Sequence, residues 1–289
     1  MSDNPFLKEF LPYNDNLIKS MNATFEEGRA KNANTLNYLR GYYIFVNFLV
    51  AEKDVFNDMP EGFKTLIAKG SLDLLGVHST LSSGCLNQSI SLIRSLFESN
   101  IYLTYINRDF EKLMSYYEGY TDFMKYHKWK DADEEDREAF GLSQQQIDNI
   151  LQKYEPIKNN YRKRGHWYDK PLVQDMKNHS AFRNWRNKRS SFKAMCIITN
   201  QEETYDMLYT STSESVHGSS LISTLLVNEQ NNMSMAPKFD TFYIDSLSTL
   251  CIIFLSNMVE IGLKRQIEKG HKDYISYLDS SRKYVQQLL

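Results

Sequence analysis

Polar residues recur at helical spacing in two stretches of the chain that otherwise resemble core helices. The first stretch, Ser-Leu-Ile-Arg-Ser-Leu-Phe-Glu, contains Arg94 and Glu98. The second carries hydroxyl and imidazole groups at intervals of four, from Tyr205 through Tyr209, Ser213 and His217. Because residues four apart project from one face of an α-helix, each set is expected to form a row. Such groups can bind an anion and move a proton.

The rows predict proton transfer beside a phosphate. Histidine titrates near neutral pH, so His217 is the candidate proton-transfer group, oriented by Ser213 and Tyr209. A guanidinium binds oxyanions bidentately, so Arg94 would stabilise phosphate charge while Glu98 orients it. The alternative is structural: a buried ion pair fixes helix register, and the polar ladder holds packed helices together.

A second candidate site is the basic segment, residues 158–193. It has eleven Lys or Arg residues and two Asp, a local charge of +9 in a chain with a net charge of −2. Aromatic residues are interleaved, and cationic surfaces with stacking rings bind single-stranded nucleic acid. The residues predicted to contact RNA are Arg162, Lys163, Arg164, His166, Trp167, Arg183, Arg186 and Arg189. Alternatively, the segment docks on the acidic run at 131–138 or is a solvated face.

Three motifs together resemble a known family. Arg-Ser-Leu-Phe-Glu at 94–98, His166-Trp167 and Tyr-x3-Tyr-x3-Ser-x3-His-Gly at 205–218 are similar to a widespread group of bacterial all-helical proteins described as a domain of unknown function. The resemblance covers residues 70–226. It implies convergence of the motif side chains at one site, namely Arg94, Glu98, His166, Trp167, Ser213 and His217.

A looser resemblance connects the chain to the HEPN helical superfamily, many of whose members are RNases in toxin and phage-defence systems. Its signature is an arginine separated from a histidine by four to six residues. Arg265 and His271 have this spacing, but Gly270 predicts a helix end between them. The departure from a clear motif weakens the implied RNase activity.

Other features limit the range of functions. The six histidines show no His-x3-His spacing, no cysteine lies at ligand spacing and the glycines form no phosphate loop, so no metal or cofactor is expected. The three cysteines predict buried free thiols in a reducing compartment, and residues 1–12 lack a signal-peptide pattern. The apolar window at 247–259 is shorter than the ~20 residues of a membrane span. We therefore expect a cytoplasmic protein without a membrane partner.

The elements that position these residues are predicted to be helices. Sustained strand alternation is absent, whereas apolar residues recur at helical spacing. We predict an all-α multi-helix bundle around a long central helix at 71–108, in one compact unit. Its expected segments are N-terminal helices at 1–69, a family-like core at 70–226 and a C-terminal helical pair at 227–289.

These patterns predict a bacterial cytoplasmic protein that engages single-stranded RNA, as a ribonuclease effector of a defence or toxin-type system. Two alternatives stay open. One is a non-catalytic module that binds a protein partner, and the other is a small-molecule enzyme with an interhelical pocket lined by Arg94 and His217. The tyrosines and methionines at 116–126 could form a homodimer surface.

Overall fold

The structure is a computed structural model that describes residues 5–133, 135, 142–183, 191–216, 226–227, 233–234 and 239–287. Most of these described residues lie in α-helices. They are α1 Pro5–Lys31, α2 Ala33–Asn47, α3 Glu61–Leu81, α4 Leu86–Ile106, α5 Phe110–Asp131, α6 Gln144–Tyr154, α7 Asp169–Asn178, α8 Phe192–Ile198, α9 Glu202–Val216, α10 Thr241–Glu268 and α11 Ile275–Gln286. In the described part of the chain, β structure is one antiparallel pair, β1 Leu226–Val227 with β2 Met233–Ser234. The all-α prediction is confirmed.

The predicted central helix at 71–108 is in fact two helices. α3 begins directly after Pro60 and ends at Leu81, and α4 begins at Leu86. Gly84 has φ 66°, a left-handed conformation that ends helices, and the Cys85 amide donates to the Thr80 carbonyl at 2.8 Å. The apolar pattern continues on both sides of this glycine, so helical periodicity alone does not reveal the break.

Prolines and caps set other helix ends. The Ser143 hydroxyl accepts the Gln146 amide, and the Gln146 side chain accepts the Ser143 amide, which forms a capping box for α6. α6 ends at Tyr154, two residues before Pro156, because a proline has no N–H to continue the hydrogen bonds of a helix. Pro171 lies in the first turn of the short helix α7, where its missing N–H has no helical partner to lose.

The chain divides into two compact units, each assembled from separate stretches. The first unit comprises Met1–Asn57, Ile67–Asn100 and Met207–Leu289, and the second comprises Asp58–Leu66 and Ile101–Asp206. The bounds of these two units differ from those of the segments predicted in chain order, which are 1–69, 70–226 and 227–289.

α10 supplies much of the core of the first unit. Among the described helices it is the one long and apolar enough to cross a membrane, yet 67% of its most apolar window is buried inside the protein. A helix that is apolar on all sides needs such burial when it is not in lipid. Phe254 on α10 packs against Phe97 on α4, with ring centroids 5.2 Å apart.

Close packing fixes α4 against its neighbours in the first unit. A Cβ added at Gly70 on α3 would lie 3.1 Å from Leu96 and 3.2 Å from Leu255 and Met258. The missing side chain therefore lets α3 approach α4 and α10 closely. Phe97 and Leu96 point into this core, which turns Arg94 and Glu98 on α4 toward partly exposed positions.

Aromatic rings form the core of the second unit. Tyr102 on α4 lies within 6.5 Å of several ring centroids, including those of Trp167 at 5.6 Å and Tyr117 at 6.5 Å. Tyr105 donates a hydrogen bond to Asp175 at 2.8 Å. The aromatic residues of the basic segment thus stabilise the fold of this unit.

Candidate functional site

Arg94, Glu98 and Tyr209 meet in the first unit, and we call them the Arg94 cluster. Arg94 Nε lies 3.3 Å from Glu98 Oε1. The same oxygen accepts the Tyr209 hydroxyl at 2.5 Å. The guanidinium carbon lies 3.8 Å from the centroid of the Tyr209 ring, a cation–π distance. Two donors, the Arg94 guanidinium and the Tyr209 hydroxyl, therefore share one carboxylate oxygen and also stack on each other.

Burial and charge shift the titration of this cluster in consistent directions. Burial raises the pKa of Tyr209, and the hydrogen bond to the Glu98 carboxylate raises it further, although Arg94 opposes the change. Burial by itself lowers the pKa of Arg94, but Tyr209 and Glu98 together outweigh it, so the pKa rises. The side chains of Arg94 and Glu98 keep exposed fractions of 36% and 35%. The cluster is thus a neutral phenol and an ion pair within reach of solvent.

The two remaining members of the predicted ladder are only partly visible. Ser213 lies on α9 with Tyr209, but its side chain is outside the described part of the structure, and His217 lies outside it altogether. Tyr205 belongs to the second unit, where its ring lies 6.1 Å from that of Phe192. Of the predicted catalytic residues, the structure brings together Arg94, Glu98 and Tyr209.

A second polar network lies on the adjacent face of α4 and was missed in the sequence. The Lys69 ammonium lies 2.8 Å from Asp73 Oδ2 and 3.2 Å from Ser99 Oγ. The Ser95 hydroxyl donates to Asp73 at 2.8 Å and also contacts Lys69. Lys69 and Asp73 are four apart on α3, a spacing that indicates an ion pair but does not reveal its serine partners.

The cations of the basic segment differ in their pairing. Lys163 forms an ion pair with Asp131 at 2.8 Å, so one contact of the predicted docking on the acidic run exists. Arg162, Arg164 and Arg183 are exposed and have no carboxylate partner among the described residues. Arg186 and Arg189 lie outside the described residues.

The predicted stacking surface is largely absent from the described part of this segment. Trp167 is only 5% exposed and lies among Tyr102, Tyr105 and Tyr117. Its proposed role in stacking on a nucleobase is therefore wrong, because no face of the ring is free. His166 is exposed, and its ring stacks on that of Tyr168 at a centroid distance of 5.0 Å.

The indole N–H of Trp167 is buried and has no hydrogen-bond partner among the described residues. An unpaired buried donor costs free energy, so apolar packing has to compensate for it. The sequence showed aromatic residues between cations but could not show which way each ring points.

The tyrosines proposed for a homodimer surface make contacts inside the second unit. Tyr120 donates to the Gly165 carbonyl at 2.6 Å, and Tyr126 stacks on Tyr154 with ring centroids 3.7 Å apart. Tyr116 lies 5.9 Å from the ring of Tyr161. Met124 is 40% exposed, so this helix retains limited apolar surface for a partner.

The fold and these polar clusters define an all-helical protein with no group of three His, Cys, Asp or Glu residues, within its described residues, that could hold a metal ion. The chain belongs to a family of unknown function, DUF5677, whose model matches residues 66–234. The prediction that the chain belongs to a family of unknown function, made over 70–226, is confirmed, whereas the family motifs and the HEPN resemblance stay predictions. No curated protein and no solved structure matches the chain.

Proposed function

We propose that this protein binds single-stranded RNA through exposed arginines of its second unit. The observation that carries the proposal is that Arg162, Arg164 and Arg183 are exposed without a carboxylate partner among the described residues. A guanidinium left unpaired at the surface is available to a phosphate, which it can bind through two parallel hydrogen bonds. The protein is thereby a candidate strand-binding module.

The finer part of the proposal is a cytoplasmic ribonuclease of a bacterial defence or toxin-type system. Arg94 would stabilise phosphate charge, and His217 would transfer the proton. Partial exposure of the Arg94 guanidinium supports access by a ligand. The free thiols of Cys85, Cys196 and Cys251 agree with a reducing compartment.

Kinship with HEPN RNases belongs to the same proposal, but Arg265 and His271 do not support it. Arg265 lies in the last turn of α10, whereas His271 follows Gly270, whose φ is 107°. The left-handed glycine ends the helix, so the two side chains cannot occupy one helical face. Any RNase site must therefore use other residues, of which Arg94 and His217 are our candidates.

RNA binding can be tested by titrating purified protein into labelled single-stranded RNA at several salt concentrations. Replacing Arg162, Arg164 and Arg183 by Gln should weaken binding and reduce the slope of log K against log salt by about 0.7 for each phosphate that is no longer neutralised. The matched control carries Lys125→Gln, Lys158→Gln and Lys193→Gln, which removes three charges from lysines that already have carboxylate partners. Equal weakening in both variants, or no binding by the wild type at low salt, would contradict the proposal.

Cleavage is assayed on the same samples in a denaturing gel. The wild type should cut the strand, and His217→Ala and Arg94→Ala should abolish cutting while binding is kept. Arg94→Lys, which keeps the charge but not the planar fork, should be intermediate. Binding without cutting in the wild type would leave a strand-binding protein and remove the nuclease.

A second candidate function is a non-catalytic interaction module, and two contacts favour it. Lys163 pairs with Asp131, and the Arg94 cluster satisfies its own charges. If these are purely structural, Arg94→Ala and Glu98→Ala would lower stability without any ligand being involved. The predicted small-molecule pocket lined by Arg94 and His217 has no comparable support.

A further inference from the structure

A groove in the second unit lies between α5 and α7, and we call it the lysine groove. Two cavities of about 530 and 180 Å³ make it up. The larger has the size of many small-ligand sites, which span ~300–1,000 Å³. Both cavities are lined by the same four residues at their shared part, namely Lys112, Pro171, Gln174 and Asn178.

Helical spacing explains why cations collect in the groove. α7 buries Leu172 and Met176 on one side. Its other side carries Lys170, Gln174 and Lys177, whose spacing of four and three places them in one row. On α5, Lys112 and Tyr116 are four apart and line the groove as well.

The charged residues that line the larger cavity of the groove are all positive. Lys112, Lys170 and Lys177 line that cavity, and no carboxylate does. The smaller cavity adds Arg108 together with Asp109 and Asp175. Asp175 accepts the Tyr105 hydroxyl at 2.8 Å, so part of its hydrogen-bonding capacity is already used.

The three groove lysines have no carboxylate partner in the described part of the chain, and the Lys170 ammonium donates a hydrogen bond to the Asn159 carbonyl oxygen. Other lysines of the same unit are paired: Lys158 with Glu155 at 2.6 Å, and Lys193 with Asp206 at 2.7 Å. Like charges that converge without a counterion repel each other. A bound anion would remove this repulsion and would be held by three ammonium groups.

We propose that the lysine groove binds the phosphate groups of a nucleotide-sized ligand. Ammonium groups hold phosphate as point charges, and the amides of Gln174 and Asn178 can donate hydrogen bonds to its oxygens. The ligand is a free nucleotide or a nucleotide of an RNA strand, since both present the same phosphate chemistry. The inference does not rest on RNA binding by Arg162, Arg164 and Arg183, none of which lines the groove.

The experiment is a calorimetric titration of the full chain with two probes, a nucleoside triphosphate and a short 5′-phosphorylated single-stranded RNA. The test variant carries Lys112→Gln, Lys170→Gln and Lys177→Gln. The control variant carries Lys125→Gln, Lys158→Gln and Lys193→Gln, which removes equal charge from paired lysines of the same unit. Thermal unfolding of both variants verifies that they fold, and Lys177→Gln alone provides a milder change.

We expect the affinity of the test variant to fall about tenfold or more, the effect of removing one charged hydrogen bond. The control should stay close to the wild type, and Lys177→Gln should lie between them. Weaker binding of the nucleoside triphosphate identifies a free nucleotide as the ligand, and weaker binding of RNA alone identifies a strand. Binding of neither probe by the wild type, or an equal fall in test and control variants, would overturn the inference.

The same titrations separate this inference from the proposed RNA function. RNA affinity that falls only when the three arginines are replaced would support RNA binding, and it would refute the groove if the wild type also fails to bind the nucleoside triphosphate. Nucleotide binding that depends on the groove lysines, with no RNA affinity in the wild type, would support the groove and refute RNA binding.

Discussion

The cation of the Arg94 cluster has protein partners, whereas the lysines of the lysine groove have no carboxylate partner among the described residues. In the cluster, the guanidinium has a carboxylate at 3.3 Å and an aromatic ring at 3.8 Å. In the groove, three ammonium groups line a cavity of about 530 Å³ without a carboxylate. The sequence offered the cluster as the functional site and overlooked the groove.

The difference distinguishes cations that stabilise the fold from cations that are available to a ligand. A cation that has its partners contributes to the free energy of folding, and replacing it leaves those partners unsatisfied. An exposed cation without partners contributes little to folding and can bind an anion instead. The comparison therefore predicts that substitutions in the cluster change stability, whereas substitutions in the groove change affinity.

The largest expected effect concerns the packing behind the cluster. Phe97 is fully buried, so Phe97→Ala should lower the free energy of unfolding by about 3–5 kcal/mol. Urea denaturation measures this change. Lys112→Ala in the groove is the control and should stay within about 0.5 kcal/mol of the wild type. A similar decrease in the free energy of unfolding in both variants would contradict the predicted difference between the cluster and the groove.

Removal of the shared acceptor should have the next largest effect. Glu98→Ala leaves the Tyr209 hydroxyl and the Arg94 guanidinium without their common oxygen. We expect the free energy of unfolding to fall by about 1 kcal/mol in urea denaturation, at the low end for a charged hydrogen bond because the group is partly exposed. Glu98→Gln keeps an acceptor oxygen and should cost less. An unchanged stability in Glu98→Ala would mean that the cluster does not hold the fold together.

The stacking of Arg94 on Tyr209 should contribute a smaller amount. A double-mutant cycle with Arg94→Met and Tyr209→Leu is expected to give a coupling of about 0.5–1 kcal/mol. The measurement is the unfolding free energy of the two single variants and the double variant. A coupling near zero would leave the guanidinium available to a ligand, as in the groove.

The smallest effect concerns a paired lysine of the basic segment and its neighbouring histidine. Burial lowers the pKa of His127; Asp131 raises it, and Lys163 and Lys130 lower it. Lys163→Ala should therefore raise the pKa of His127, which an NMR titration of the ring measures. His78, whose pKa is lowered by burial and by Arg40, serves as the control.

The same shift has a consequence for stability. Since the pKa of His127 in the folded state lies below its ordinary value of 6.5, the unfolded chain binds the proton more readily. Stability should fall as the pH drops through about 6.5, and His127→Phe should reduce that fall. A pH dependence unaffected by this substitution would contradict the assignment.

Local pattern predicted much of the helical architecture. The apolar periodicity of residues 110–129 and 241–269 predicts a helix in each range, and α5 and α10 lie there. The division at Gly84 was missed, since one left-handed residue is enough to end a helix whose apolar pattern continues on both sides. Sequence periodicity reports helical faces more securely than it reports helix ends.

The sequence by itself determined the all-α class and the row of Arg94 and Glu98, because these depend on residues close together in the chain, and it also determined the family, which depends only on residue types in chain order. Only the tertiary structure decided that Tyr209 shares the Glu98 carboxylate, that Trp167 is buried and that Lys112 joins Lys170 and Lys177 in one groove. The residues that meet in each of these cases are far apart in the sequence, and no local periodicity fixes the distance between them. Packing of the helices fixes this distance, and it thereby decides which charged side chains form an ion pair and which do not.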